Sequence, residues 1–211
     1  MDTLAHDSPA RASRMTRGRR LFVRLAVWLG PSLLLTGVLE IALRLIGFGC
    51  PTAFFLRVHR DGQRSLIENP RFAWRFMAPA LARAPQSFQV SHPKPADHFR
   101  IFVFGESAAM GDPEPAFGFS RVLEVLLRSK FPGLRFEIIN TAFPAINSHV
   151  IREIASECTL RQGDVCIIYM GNNEVLGPYG ATTAFGTRTP PRTAIEAASL
   201  LRKLRTGQTL G

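Results

Sequence analysis

Three cysteines in 211 residues are too few for a disulfide framework, and none stands in a Cys-x-x-Cys pair. Cys50, Cys158 and Cys166 are therefore expected to be buried free thiols. The five histidines are scattered, with no two at helical metal-ligand spacing, so neither a metal site nor a cofactor is expected. Gly105 and Gly111 bracket a small-residue turn that lacks the Lys-Ser/Thr of a phosphate loop, which argues against nucleotide binding. Lysine is scarce beside arginine, and no basic stripe alternates with aromatics, so nucleic acid is not an expected partner. No internal repeat or low-complexity tract is present.

The formal net charge of +10 sits mostly at the two ends. Arg11, Arg14, Arg17, Arg19, Arg20 and Arg24 crowd the N-terminal side, and residues 188–211 carry a second basic excess. Between them acidic and basic residues nearly balance, and 46% apolar composition suffices to build the core of one domain with an appendage.

Leu25 to Leu39 contains no charge, and the apolar character runs on past Glu40 and Arg44 to Phe48. Residues 21–48 are long enough to cross a bilayer core of about 30 Å at about 1.5 Å per residue. Glu40 and Arg44 lie one turn apart and can pair near one end. The basic region resembles the start of a signal peptide, but no Ala-x-Ala site follows, so an uncleaved anchor is expected. By the positive-inside rule the basic tail, residues 1–20, lies in the cytoplasm of a single-pass protein of the cell (inner) membrane, with the remainder outside.

Residues 49–98 are rich in proline and mixed aromatics and have no sustained period, which reads as an irregular stalk with a strand possible near Ser87–Ser91. From residue 99 the pattern changes. Strand Arg100–Phe104 precedes a helix near Phe117–Phe131, in which Phe119, Val122, Leu123, Leu126 and Leu127 recur at helical spacing. Strand Leu134–Asn140, a helix near Asn147–Leu160, a strand at Asp164–Met170 and a helix at Arg192–Arg205 follow. The order β-α-β-α-β implies a parallel sheet with right-handed crossovers.

Two of these strands empty into small-residue loops, Gly105-Glu106-Ser107 and Gly171-Asn172-Asn173-Glu174. Parallel sheets gather such loops at one edge. Ser107 is the candidate nucleophile, with small neighbours Ala108 and Ala109. Asn173 offers an amide NH₂ to a developing oxyanion, and the backbone N–H groups of Ser107 and of the loop around Ala145 could add two donors.

These loops resemble the motif blocks of the SGNH or GDSL esterases and lipases. Gly105-Glu106-Ser107 with Gly111 matches the first block, with Glu for the usual Asp. Asn140-Thr141-Ala142-Phe143-Pro144-Ala145 approximates the second, Asn-x-Gly-x-x-Gly, with Ala at both glycine positions. Gly171-Asn172-Asn173-Glu174 matches the third, again with Glu for Asp. The resemblance covers residues 99–180. It implies Ser107 as nucleophile, with the N–H of Ala145 and the side chain of Asn173 as oxyanion donors. It also implies a flavodoxin-like three-layer α/β/α parallel sheet over residues 99–211 and an acyl ester of a lipid or glycan as substrate. The Ala145 replacement is expected to matter little if that residue has negative φ.

The family's fourth block, Asp-x-x-His, which supplies the general base, does not occur after residue 174. The expectation is a C-terminally incomplete domain with little turnover. His149, which follows the second block, reads as structural rather than as a substitute base. Glu106 and Glu174 read as acids that brace the loops, and Asp112 and Glu114 as part of a solvated turn. The competing expectation is a non-catalytic anchored binding or scaffold domain that kept the fold. Substrate and oligomeric state stay open at this stage.

Overall fold

A computed structural model describes residues 17–60, 62–158, 163–181 and 190–209. The chain divides into two compact units, one ending at Gly47 and the other running from Phe48 to Gly211.

The first unit is helix α1, Arg17–Leu45, 29 residues long. It is long and apolar enough to cross a membrane, and none of its residues is buried. Glu40 and Arg44 form the expected pair one turn apart, at 2.7 Å, so neither charge is presented alone to an apolar medium. The Thr36 hydroxyl donates to the Ser32 carbonyl at 2.9 Å, satisfying a polar group within the helix. Of the basic tail, residues 1–16 lie outside the described residues.

The second unit holds two three-stranded sheets. The first is antiparallel, with strands β1 (Phe55–Arg60), β2 (Gln63–Glu68) and β3 (Gln89–Ser91) in that order. Arg60 pairs with Gln63 across the end of the hairpin, and Gly62 takes the left-handed φ of 74° that glycine adopts without steric cost. Residues 49–98, expected as an irregular stalk, thus carry an ordered sheet. They also supply much of the core. Phe54 and Phe72 are fully buried and meet edge to face at 5.1 Å, and Phe54 stacks on Phe143 at 6.4 Å.

The second sheet is parallel, formed by β4 (His98–Gly105), β5 (Arg135–Asn140) and β6 (Val165–Tyr169) in the order β5-β4-β6. Between them lie the short α2 (Ser107–Met110), α3 (Phe119–Lys130) and α4 (Ser148–Glu157), with α5 (Arg192–Leu201) and α6 (Arg205–Gln208) after β6. The mixed α/β architecture with a parallel sheet follows the sequence pattern. The helix expected to run to Leu160 ends at Glu157, and residues 159–162 lie outside the described residues. The helix expected over Arg192–Arg205 breaks into α5 and α6.

Central strand β4 is buried on both faces, as a parallel strand flanked by neighbours must be. Phe102 and Phe104 join a cluster with Val150, Ile151 and Ile154 of α4 and with the phenylalanines of residues 54–76. Val103, pointing the other way, packs with Ala109, Ala142 and partly buried Phe119. Arg100 is buried too, and its charge is met in register by Glu137 at 2.7 Å. Arg75, its side chain only 3% exposed, joins the two sheets' surroundings. It donates to the Thr52 carbonyl, to Glu153 and to Ser199 of α5. β6 is paired along one edge, and Ile168 and Tyr169 stay exposed. The three thiols depart from expectation: Cys50 and Cys158 are half-buried and Cys166 is exposed, because β6 has little packed over it.

Candidate active site

From β4 the chain passes first to β5 on one side and then, through α4, to β6 on the other. The strand order therefore reverses at β4, and in open parallel sheets ligands bind at the carboxyl ends of the strands beside such a reversal. Gly105 is the last residue of β4 and lies opposite Tyr169 of β6. A Cβ at Gly105 would run into the Tyr169 carbonyl oxygen and the Ala109 Cβ, so only glycine lets α2 close over the strand end. Ser107 opens α2, and Gly111 ends it with a φ of 91°. The N–H groups of Gly111 and Asp112 both return to the Ser107 carbonyl at 3.0 Å. Ser107 is half-buried and Ala108 exposed. Asp112 and Glu114 are exposed, as the turn reading anticipated.

Three side chains lock the loops together, each by accepting or donating to backbone. The Glu106 carboxylate, buried to 1% exposure, accepts from the N–H groups of Gly171 at 3.3 Å, Asn172 at 2.9 Å and Asn173 at 3.2 Å. Among the described residues no cation pairs with it, and these three N–H groups are its hydrogen-bond partners. Asn140 donates to the Ala109 carbonyl and the Ser120 hydroxyl, both at 2.9 Å, and accepts from the Ala142 N–H at 3.1 Å. Glu174 accepts from the Ser148 N–H at 2.8 Å and its hydroxyl at 2.6 Å. It thereby satisfies a free donor at the start of α4 and puts a negative charge where the helix dipole favours one. The reading of Glu106 and Glu174 as bracing acids holds, and the longer glutamate reaches across to the neighbouring loop in both cases.

The possible oxyanion donors are free. The Asn173 side-chain amide and the N–H groups of Ser107 and Ala145 have no hydrogen-bond partner among the described residues. Ala145, however, has a φ of 64°. The condition under which its substitution for glycine would matter little is therefore not met: a left-handed Ala costs about 1–2 kcal/mol.

A general base is not in hand among the described residues. His149 sits on the first turn of α4 with its ring edge-on to Tyr179 at 5.9 Å, and no hydrogen bond joins it to Ser107. His98 begins β4, so the length of the strand, about 3.3 Å per residue, separates it from the serine at the other end. The Asn147 Oδ1 and Tyr179 hydroxyl are buried without a partner among the described residues, although Asn147 donates to the Pro178 carbonyl at 2.8 Å. Each such orphan costs about 1–3 kcal/mol, and both lie where α4 meets the loop after Asn173. No family model, curated protein or solved structure matches this chain.

Sequence reasoning missed Asn147, Ser148 and Tyr179 as members of the site's frame. Ser148 could have been found, because a serine at the first turn of an amphipathic segment is a common partner for a nearby acid. Asn147 carries a local signal as the residue that precedes α4, but Tyr179 carries none; the Asn147 hydrogen bond to the Pro178 carbonyl and the close approach of Gly177, where an added Cβ would stand 2.9 Å from the Asn147 Cβ, bring them together.

Proposed function

We propose that this chain is a membrane-anchored, SGNH-like serine esterase or acyl-transfer domain of flavodoxin-like three-layer design, acting outside the cytoplasm on an acyl ester of a lipid or glycan. The observation that carries the reading is the mutual hydrogen bonding of the three loops that hold the motif residues. Glu106 binds the backbone of Gly171–Asn173, Glu174 binds Ser148, and Asn140 binds Ala109. Residues far apart in sequence, and legible there as one family's blocks, meet at the reversal of the strand order.

In this scheme the Ser107 Oγ attacks the ester carbonyl carbon and its proton passes to a general base, which none of the described residues supplies. The carbonyl oxygen becomes an oxyanion, stabilised by the Asn173 amide and the N–H groups of Ser107 and Ala145. Collapse of the tetrahedral intermediate expels the alcohol and leaves an acyl-serine, which water or a second acceptor alcohol then resolves. Loss of the base in a serine hydrolase costs on the order of 10⁴- to 10⁶-fold in rate, so this chain by itself turns over slowly. The arginines that precede α1 and fill its first turns, from Arg11 to Arg24, support a cytoplasmic N-terminus and an outer location for the domain.

A fluorophosphonate probe tests the reading. Slow labelling that Ser107→Ala abolishes is the expected result, rising by orders of magnitude in any longer natural form that carries Asp-x-x-His. A longer form that carries the motif and still neither labels nor cleaves varied acyl esters would sink the enzyme reading. It would favour the second one, an anchored scaffold, which the left-handed Ala145 already suits.

A further inference from the structure

A cavity of about 440 Å³ lies in the second unit near its first residues. Its apolar walls come from Phe48, Trp74, Met77 and Pro79, and two guanidinium groups, Arg71 and Arg202, share the lining. Arg75 lines it as well, but its charge is met by Glu153 at 2.9 Å and Glu157 at 3.8 Å. Arg71 and Arg202 differ. The Arg71 guanidinium lies 5.1 Å from the centre of the Trp74 ring and donates to the Cys50 sulfur at 3.3 Å. Arg202 donates to the Arg75 carbonyl at 2.9 Å. Neither meets a carboxylate among the described residues.

Apolar walls with two uncompensated forked cations suit an amphiphile whose head is a phosphate diester, since guanidinium binds phosphate oxygens in pairs. Only Ile46 and Gly47 separate Leu45, the end of α1, from Phe48, so the chain tethers the cavity's first wall residue within about 11 Å of the helix end. With α1 in a bilayer, lipids are the amphiphiles within reach of a residue tethered there. We infer that this cavity binds an anionic glycerophospholipid, its phosphate on Arg71 and Arg202 and the start of an acyl chain against Phe48, Trp74 and Met77. The inference is independent of the hydrolase reading and shares with it only the anchoring of α1.

The test uses the full chain in a neutral detergent, with Trp28→Phe leaving Trp74 as the one tryptophan reporter. Dioctanoyl-phosphatidylglycerol, dioctanoyl-phosphatidylcholine and inorganic phosphate are titrated separately, and native mass spectrometry counts bound lipid. The glycerol lipid is expected to shift Trp74 emission and to bind at least roughly tenfold more tightly than the choline lipid, whose head is neutral overall. Arg71→Gln with Arg202→Gln should weaken it roughly a hundredfold, about tenfold per guanidinium. Arg71→Lys with Arg202→Lys should retain part of the affinity, and Ser107→Ala all of it. Equal binding of the two lipids, or unchanged binding in the glutamine pair, overturns the inference. So does inorganic phosphate binding as tightly as the lipid, which would mark a free-anion site. If the glutamine pair fails to fold by circular dichroism, the lysine pair and the comparison of lipids on the parent chain decide.

Discussion

Replacing Glu106 by Gln probes the joint on which the whole site depends. The carboxylate makes four contacts with three backbone N–H groups, one oxygen serving Gly171 and Asn173 and the other Asn172 and Asn173. An amide has one accepting oxygen. With that oxygen in the position nearer Asn172, the NH₂ group faces the Gly171 N–H, donor against donor. One N–H is then orphaned, at about 1 kcal/mol or more, and two bonds fall from charge-assisted to neutral strength, about 1 kcal/mol each. Burying an amide instead of a charge recovers part of this, leaving a net loss of about 2 kcal/mol in the stability of the loop. Hydrogen exchange read by mass spectrometry on peptides spanning residues 170–176, in the full chain in detergent, reports that loss directly. Exchange should accelerate roughly thirtyfold at Gly171–Asn173, at about 1.4 kcal/mol per decade, with no change in α1. Glu106→Asp, the residue usual in the family the sequence resembles, withdraws the carboxylate by about 1.5 Å and should loosen the same peptides less. Protection unchanged in Glu106→Gln would refute the claim that this carboxylate, rather than backbone packing, holds the third loop against the first.

Two further outcomes follow from the frame of the site. Ala145→Gly should raise the urea midpoint, because the relief of a left-handed alanine, about 1–2 kcal/mol, outweighs the added freedom of the unfolded chain, about 0.4–1 kcal/mol. A fall in the midpoint would show that residue 145 does not occupy that conformation. Glu157 accepts from the Phe54 N–H at 2.6 Å, and its burial pushes the carboxyl above its ordinary 4.5 despite the Phe54 and Phe55 N–H groups and Arg75. The folded state therefore holds this proton more tightly than the unfolded chain does. Its contribution to stability is complete below pH 4.5 and declines as pH rises through the folded value. Glu157→Gln, which keeps an acceptor for Phe54, should flatten that decline in urea midpoints measured across the weakly acidic range; an unaltered slope would dismiss Glu157 as its source.

How much was legible in the sequence differed from element to element. Strands β4, β5 and β6 were readable because a short apolar run followed by a turn is a local signal, and α3 because its leucines keep a helical period. The hairpin of β1 and β2 escaped notice because the alternation of Leu56, Arg57, Val58 and His59 is short and β2 does not continue it; its register is seen only in the main-chain pairing of the two strands. The Asp61-Gly62 dipeptide was the available clue. Cys166 was misjudged for a related reason: an apolar run predicts a covered strand, and only the tertiary structure shows that, among the described residues, little packs over β6.

For the site, residue types and their order along the chain were enough to single out Ser107, Asn173 and the two glutamates. A serine after a strand and an amide after another are local facts. The sign of φ at Ala145, the burial of Glu106 against three amides and the closure of Glu174 on α4 were not, because each depends on loops separated by dozens of residues coming to one edge. What the sequence alone determined was the alternation of strands and helices and the apolar helix before them, since these rest on periodicity and length. The tertiary structure decided that β4 is the centre of the sheet, because hydrogen bonding to β5 on one side and β6 on the other is a choice of neighbours that no local pattern encodes.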